Sequence, residues 1–173
     1  HCFVWSSPSV GNTMNREIIA HILDQAEDLG SIDWIYFEGG EPFLCYELLL
    51  WGVQQANQRG FKVGIVSNAY WAETEPEALE KLRPFAGLVQ DLSISHDAYH
   101  GSNDGVRQTQ IARQAAAQLG IPVDFISVAE PEAAGVPGSA GQLPAGETAV
   151  LYLGRAAEKM ASRAPRRPCT TVT

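Results

Sequence analysis

The residues best suited to chemistry form one short run, Tyr36-Phe37-Glu38-Gly39-Gly40-Glu41-Pro42. The run ends an apolar stretch, residues 32–37, that predicts a buried strand, and a helical pattern begins near Leu44. Two glycines at the carboxyl end of a strand let the backbone approach a ligand and leave N–H groups directed outward. A carboxylate fixed beside them accepts hydrogen bonds from a cationic amine. This combination suits a ligand with an α-amino and an α-carboxylate group, although an isolated Gly-Gly pair is more often a simple turn.

Other polar residues also follow predicted strands. Ser67-Asn68 follow the strand at residues 63–66, and Ser95-His96-Asp97 follow the strand at residues 88–94. Glu130 follows the strand at residues 121–128, and Arg155 follows the strand at residues 149–153. In parallel βα architectures the ligand site lies at the carboxyl ends of the strands. We therefore expect these groups to share one edge with Gly39, although Ser67-Asn68 and Asp97 are also residue types that cap a turn.

The elements that must position these groups are marked by glycines. Helical segments end at Gly30, Gly60, Gly87 and Gly120, and each glycine precedes an apolar strand by a few residues. The interval of about 30 residues is that of a βα unit, so the chain predicts a parallel sheet with right-handed crossovers. The strands are continuous apolar runs, as expected where helices cover the sheet. Periodicity alone permits either a partial barrel or a flat, doubly wound sheet.

The helices are predicted from caps and apolar spacing. Asn12 or Thr13 is the expected cap of the first helix, and Thr74 with Glu77 forms a capping box for the third. A further helix is expected at residues 106–119, and residues 130–146 predict a long, exposed, irregular loop. The expected apolar face of the first helix consists of Met14, Ile18, Ile22, Ala26 and Leu29.

Composition excludes several classes of protein. The 173 residues predict one domain, and no apolar run approaches the ~18 residues of a membrane span. The net charge of −8 argues against a general nucleic-acid binder, because neutralising phosphates requires clustered Lys and Arg. Cys2, Cys45 and Cys169 are odd in number and far apart, which favours the reducing cytoplasm over a disulfide framework. Cys45 is expected to be a small buried hydrophobe.

With these motifs the chain resembles the radical S-adenosylmethionine (radical SAM) enzymes. Their cluster-binding loop is CxxxCxxC, and their second strand ends in GGEP, which corresponds to Gly39-Gly40-Glu41-Pro42. His1-Cys2 is similar to the tail of that loop, so that the first two cysteines are missing. The interval from Cys2 to Gly39 leaves room for one helix and one strand, as the family requires. The resemblance covers about residues 1–130.

The resemblance implies a fold and a domain organisation. The fold is an α/β, partial (β/α)6 TIM-type barrel with a parallel sheet, of which the first strand is missing. Residues 1–155 would form a partial radical SAM core. Residues 156–173 would form a C-terminal helix and a tail leading to an absent C-terminal region.

The resemblance also implies roles for individual residues. Gly39, Gly40, Glu41 and Pro42 would bind the methionine amino group of S-adenosylmethionine, and Ser67 and Asn68 would line the cofactor pocket. The remaining assignments are Ser95 and Asp97 at the ribose, Arg155 at the methionine carboxylate, and Cys2 as a cluster ligand. Tyr70 and Trp71 either shape the substrate side of the pocket or pack against a loop.

The implied activity is that of an oxidoreductase with a 4Fe–4S cluster. An electron from flavodoxin or ferredoxin cleaves S-adenosylmethionine to a 5′-deoxyadenosyl radical, which abstracts hydrogen from a small-molecule or peptide substrate. The chain alone would be inactive, because it carries one of the three cluster ligands. The alternative is a non-catalytic βα domain that binds an anionic small molecule at the Gly-Gly turn. His96 and His100, four apart, form only a weak metal pattern without carboxylate or Cys neighbours.

Overall fold

The computed structural model describes residues 13–95, 103–128 and 147–150, together with residues 157, 158 and 162. Helices and strands alternate along these ranges. In chain order they are α1 Arg16–Leu29, β1 Trp34–Phe37, a 3-10 helix Pro42–Cys45, α2 Tyr46–Gln58, β2 Lys62–Ser67, α3 Glu75–Leu82, a 3-10 helix Arg83–Phe85, β3 Asp91–Ser95, α4 Asn103–Gln118, β4 Val123–Val128 and β5 Glu147–Val150.

The strands form one parallel sheet in sequential order. The order is β1-β2-β3-β4-β5, and every neighbouring pair is parallel. The predicted α/β class with a parallel sheet is therefore confirmed. A doubly wound sheet reverses its strand order at a switch point, and these five strands show no reversal. The partial barrel, its missing first strand and the domain boundary at residue 155 stay predictions.

Three strands begin later than the sequence predicts. β1 begins at Trp34 rather than at residue 32, β3 at Asp91 rather than at residue 88, and β4 at Val123 rather than at residue 121. The cause at β3 is a turn, because the backbone N–H groups of Leu88 and Val89 both donate to the carbonyl of Phe85, at 3.0 and 3.2 Å. Residues 88 and 89 are apolar, yet they continue the turn that ends the second 3-10 helix.

The predicted helix boundaries are largely confirmed. Thr74 caps α3, because its hydroxyl accepts from the Glu77 N–H at 3.4 Å, as in a capping box, and also donates to the Glu77 carboxylate at 2.9 Å. Gly30, Gly60, Gly87 and Gly120 all have positive φ. The predicted cap of α1 is wrong, because Asn15 takes that position and its side chain accepts from the Ile18 N–H at 2.9 Å.

The predicted apolar face of α1 is also wrong. The buried residues of α1 are Ile19, Leu23 and Ala26. Four members of the predicted face are 41–69 % exposed, namely Met14, Ile18, Ile22 and Leu29. α1 carries two adjacent apolar stripes, and the described elements cover only the stripe that contains Ile19 and Leu23.

The core lies between the helices and one face of the sheet. Alternate residues of β2 and β3 are fully buried there, namely Val63, Ile65, Leu92 and Ile94. On β1 the same face contains Phe37, whose ring lies against Gly52 of α2. The other face of β1 carries Trp34 and Tyr36, which stack with 5.6 Å between ring centroids. Within the described residues, no helix combines the length and the apolar character that crossing a bilayer needs.

Candidate functional site

The Gly39-Gly40 turn offers exposed backbone at the carboxyl end of β1. Both glycines are exposed, and Gly39 has φ +152°, a conformation that L side chains rarely adopt. A Cβ added at Gly39 would meet no atom within 4 Å. The backbone conformation therefore requires glycine here, while the surrounding space stays open to a ligand.

Glu41 connects this turn to the end of β2. Its side chain is buried, and its oxygen Oε1 accepts from the Phe43 N–H at 3.1 Å and from the Ser67 hydroxyl at 2.9 Å. The oxygen Oε2 accepts from the Asn68 N–H at 2.8 Å. Residues separated by 26 and 27 positions in the chain are thus joined through one carboxylate. The three donors hold the carboxylate in a single orientation.

The two carboxyl groups beside the turn, those of Glu41 and Glu38, both have a raised pKa. Burial raises the pKa of Glu41, and the hydrogen bonds from Asn68, Phe43 and Ser67 oppose that shift without cancelling it. Partial burial likewise raises the pKa of Glu38. Ionising either group is therefore costly, and a cationic ligand at the turn would reduce that cost.

The Ser67 hydroxyl extends the network into the loop after β2. It donates to Glu41 and accepts from the Ala69 N–H at 3.1 Å and the Trp71 indole N–H at 2.9 Å. The Trp71 ring is 3 % exposed and stacks on Phe43 with 4.5 Å between centroids. Of the two roles considered for Trp71, the structure shows packing, although its partner Phe43 belongs to the 3-10 helix Pro42–Cys45 rather than to a loop.

The backbone after Ser67 adopts an uncommon conformation. Ala69 has φ +58° and is fully buried, and the Asn68 side chain accepts from the Tyr70 N–H at 2.9 Å. A non-glycine residue with positive φ at a strand end often accompanies a binding site. The turn leaves Tyr70 39 % exposed. Partial burial, followed by the nearby Glu41 carboxylate, raises the pKa of Tyr70.

The structure places five predicted site residues in one cluster. At the ends of β1 and β2 lie together Gly39, Gly40, Glu41, Ser67 and Asn68. Pro42 begins the 3-10 helix that follows, and Ser95 ends β3 on the same edge of the sheet. The remaining predictions lie outside the described residues, namely Cys2, His96, Asp97, His100, Glu130, Arg155 and the loop at residues 130–146.

A polar network on the face of the sheet away from α2 was not predicted. The Tyr36 ring lies over Gly64, which pairs with Asp91, and the Ser93 hydroxyl donates to the Asp91 carboxylate at 2.8 Å. Partial burial, then Asp91 and Asp124, raises the pKa of Tyr36. The available signal was the alternation of Asp91, Ser93 and Ser95 within an apolar strand, which places all three on one face.

The register explains how Tyr36 reaches a residue two strands away. Tyr36 pairs with Gly64 on β2, and Gly64 pairs with Asp91 on β3. A Cβ at Gly64 would overlap the Tyr36 ring. The glycine therefore leaves the gap through which the Tyr36 side chain crosses β2. This face of the sheet presents stacked aromatic rings beside a carboxylate, toward the amino ends of the strands, since Trp34 begins β1 and Asp91 begins β3.

The described residues do not supply the ligands of an iron–sulfur cluster. Among the residues that the structure describes, the cysteine is Cys45. Its side chain is exposed, so the expectation that it is buried is wrong. Cys45 ends the 3-10 helix, which turns its side chain outward while Phe43 packs inward. In the described part of the chain, no group of three His, Cys, Asp or Glu side chains could hold a metal ion.

Comparison with known proteins gives one informative relative. No family model matches the chain. Over 101 residues, or 58% of its length, the chain is 30% identical to the “Putative peptide biosynthesis protein YydG” of Bacillus subtilis (strain 168). The aligned stretch is 32% of that relative, so the chain spans about a third of its length. The name of YydG assigns it to peptide biosynthesis.

Proposed function

We propose that the chain is the core of a radical SAM enzyme that acts on a peptide. The cluster of polar groups at the carboxyl ends of β1 and β2 supports this proposal, and so does the similarity to YydG. The observation that carries it is the link from Glu41 to Ser67 and Asn68, which fixes an exposed Gly-Gly turn beside a second strand end. A ligand at that edge meets exposed backbone, with the carboxyl groups of Glu38 and Glu41 close to the turn.

In this proposal each strand end binds a different part of S-adenosylmethionine. The turn at Gly39 and Gly40 binds the methionine amino group, with the acidic side chains of Glu38 and Glu41 favouring its positive charge. Ser67 and Asn68 line the pocket through their backbone, since the Ser67 hydroxyl is bonded to Glu41, Ala69 and Trp71. Ser95 and Asp97 bind the ribose, and Arg155 binds the methionine carboxylate.

Cys2 would be the cluster ligand contributed by this chain. A 4Fe–4S cluster, when bound, supplies the electron that cleaves the cofactor and an iron site that the cofactor chelates. The chain's own residues orient the cofactor and keep water away from it. Flavodoxin or ferredoxin remains the proposed electron donor.

The peptide substrate is proposed from two observations. The name of YydG refers to peptide biosynthesis. The face of the sheet with Trp34, Tyr36 and Asp91 combines aromatic surface with a carboxylate. Such a surface accommodates the mixed apolar and polar groups of a peptide.

The alternative, an anion-binding domain without catalytic activity, is disfavoured by charge. An anion at the Gly39-Gly40 turn would lie close to the carboxyl groups of Glu38 and Glu41. Like charges repel more strongly in a partly buried site than in water. Among the described residues, the ion pairs of the chain involve Arg59, which pairs with Asp24 and Glu27 of α1 rather than with these groups.

The test is the affinity for S-adenosylmethionine in the full-length protein. Gly39→Ala forces a side chain into a conformation with φ +152°, and Gly60→Ala does the same at φ +86° at the opposite edge of the sheet. Neither Cβ would clash, so each variant should lose roughly 1–3 kcal/mol of stability through strain. We expect calorimetry to show at least about tenfold weaker binding for Gly39→Ala alone.

Two outcomes would contradict the proposal. Equal affinities for Gly39→Ala and Gly60→Ala would remove the turn from the binding site. Binding of inorganic phosphate by the wild-type protein, without binding of S-adenosylmethionine, would favour the anion-binding alternative.

A further inference from the structure

We propose that Glu41 is a positioning residue, whose carboxylate fastens the Gly39-Gly40 turn to the end of β2 and leaves the backbone to contact the ligand. The inference rests on the proposed function, since it concerns the same edge of the sheet. In this inference the Glu41 carboxylate does not contact the amino group of the ligand directly.

The first argument is that three of the about four acceptor sites of the Glu41 carboxylate are already used within the protein. Oε1 accepts two hydrogen bonds, from Phe43 and Ser67, and Oε2 accepts one from Asn68. The residue is only 8 % exposed. A direct ligand role requires an oxygen that faces the binding space, whereas these oxygens face the 3-10 helix and the end of β2.

The second argument concerns where the sheet ends. The pairing of β1 with β2 ends at Phe37 and Ile65. Beyond that pair, no register pairing joins the two strands, and Ser67 lies two positions farther along β2. The carboxylate bonds to Ser67 and Asn68 therefore continue the connection past the last paired residues. Without them, the turn and the strand end could move apart.

The third argument is that Ser67 transmits the same constraint. Its hydroxyl is 2 % exposed and is shared among Glu41, Ala69 and Trp71. The side chain is on the buried face of β2 together with Ile65. Loss of this hydroxyl would loosen the link without removing an atom that faces the ligand.

The first measurement is amide hydrogen exchange on the chain without ligand. Glu41→Ala removes the acceptor of both the Phe43 and the Asn68 amides, so both should exchange faster. Glu41→Gln has one acceptor oxygen and one NH₂ group, so one of these two amides should exchange faster and the other should stay protected. Glu47→Ala, which changes an exposed carboxylate on α2, is the control and should alter neither.

The second measurement is calorimetric titration of the full-length protein. The probe is S-adenosylhomocysteine, which carries the same amino and carboxylate groups and is not cleaved. We expect about tenfold or more weakening for Glu41→Ala, a smaller loss for Glu41→Gln, and a loss for Ser67→Ala as well. Glu47→Ala should bind like the wild type.

The outcomes separate this inference from the proposed function. If Glu41→Gln and Glu41→Ala lose affinity equally while Ser67→Ala binds like the wild type, Glu41 contacts the ligand directly and the inference is wrong. If the wild type does not bind the probe, the proposed function fails, and the exchange data alone decide whether the link exists. Unchanged exchange at Phe43 and Asn68 in Glu41→Ala would overturn the inference whatever the affinities.

Discussion

The carboxyl group of Glu41 is subject to two opposing effects. Burial disfavours its charged form, and three hydrogen bonds favour that form. Burial is the larger effect, so its pKa in the folded chain lies above the ordinary value of 4.5. Ionisation of Glu41 therefore opposes folding, although the ionised group holds two strand ends together. Such a cost is acceptable where a ligand compensates it.

The raised pKa of Glu41 predicts a pH-dependent difference in stability. A group with a raised folded pKa stabilises the folded state fully below its unfolded pKa, and that contribution is lost as the pH rises through the folded value. Glu41→Gln cannot ionise. We therefore expect the free energy of unfolding of the wild type, relative to Glu41→Gln, to fall as the pH rises above 4.5.

Urea unfolding of both chains between about pH 4 and about pH 8 measures this difference. Glu38 also has a raised pKa, but it is present in both chains and cancels from the comparison. If the free energy of unfolding of the wild type, relative to Glu41→Gln, instead rises with pH, the hydrogen bonds have a larger effect than burial on the pKa of Glu41.

At the scale of elements, sequence patterns predicted where helices begin and end better than they predicted which face of a helix is buried. The glycines with positive φ and the Thr74 capping box have local causes, since each depends on residues a few positions apart. The buried face of α1 depends on what packs against it. Ile18 and Ile22 form a stripe as apolar as that of Ile19 and Leu23, so periodicity could not distinguish the two.

Two neighbouring residues of α1 test the observed face. Leu23 is 1 % exposed and Ile22 is 41 % exposed. Leu23→Ala should cost about 2–5 kcal/mol, because it leaves a cavity in the core. Ile22→Ala removes apolar area that is already partly in water, so it should cost less than about 1 kcal/mol. Urea unfolding of the isolated chain gives both values.

Each of these two variants serves as the control for the other. Both change a large aliphatic side chain to alanine in the middle of one helix, so differences in helix propensity are small. A larger loss for Ile22→Ala than for Leu23→Ala would show that α1 packs through its other stripe.

At the scale of the whole molecule, the βα period predicted which strand ends meet. Gly39, Ser67 and Ser95 lie at one edge because each follows or ends a parallel strand. The contact between Tyr36 and Asp91 could not be predicted in the same way. It requires the register of three strands and a glycine at the middle one. Sequence spacing within a strand contains no information about register between strands.

Cluster binding is the property of the whole chain that most directly tests the proposal. Holding a 4Fe–4S cluster with one open iron requires three thiolates close together. The chain has three cysteines, Cys2, Cys45 and Cys169, and no two of them have the spacing of a CxxxCxxC loop. We therefore expect the isolated 173-residue chain to bind no stoichiometric cluster.

Anaerobic reconstitution with iron and sulfide, followed by iron quantification and visible absorption, measures cluster binding. The matched control is Cys2→Ser, which should behave like the wild type if the isolated chain binds no cluster. A stoichiometric cluster lost in Cys2→Ser would contradict the prediction and would make Cys45 or Cys169 a second ligand. Cys45 would then be the first to examine, because it is exposed. A cluster retained in Cys2→Ser would instead exclude Cys2 as a necessary ligand.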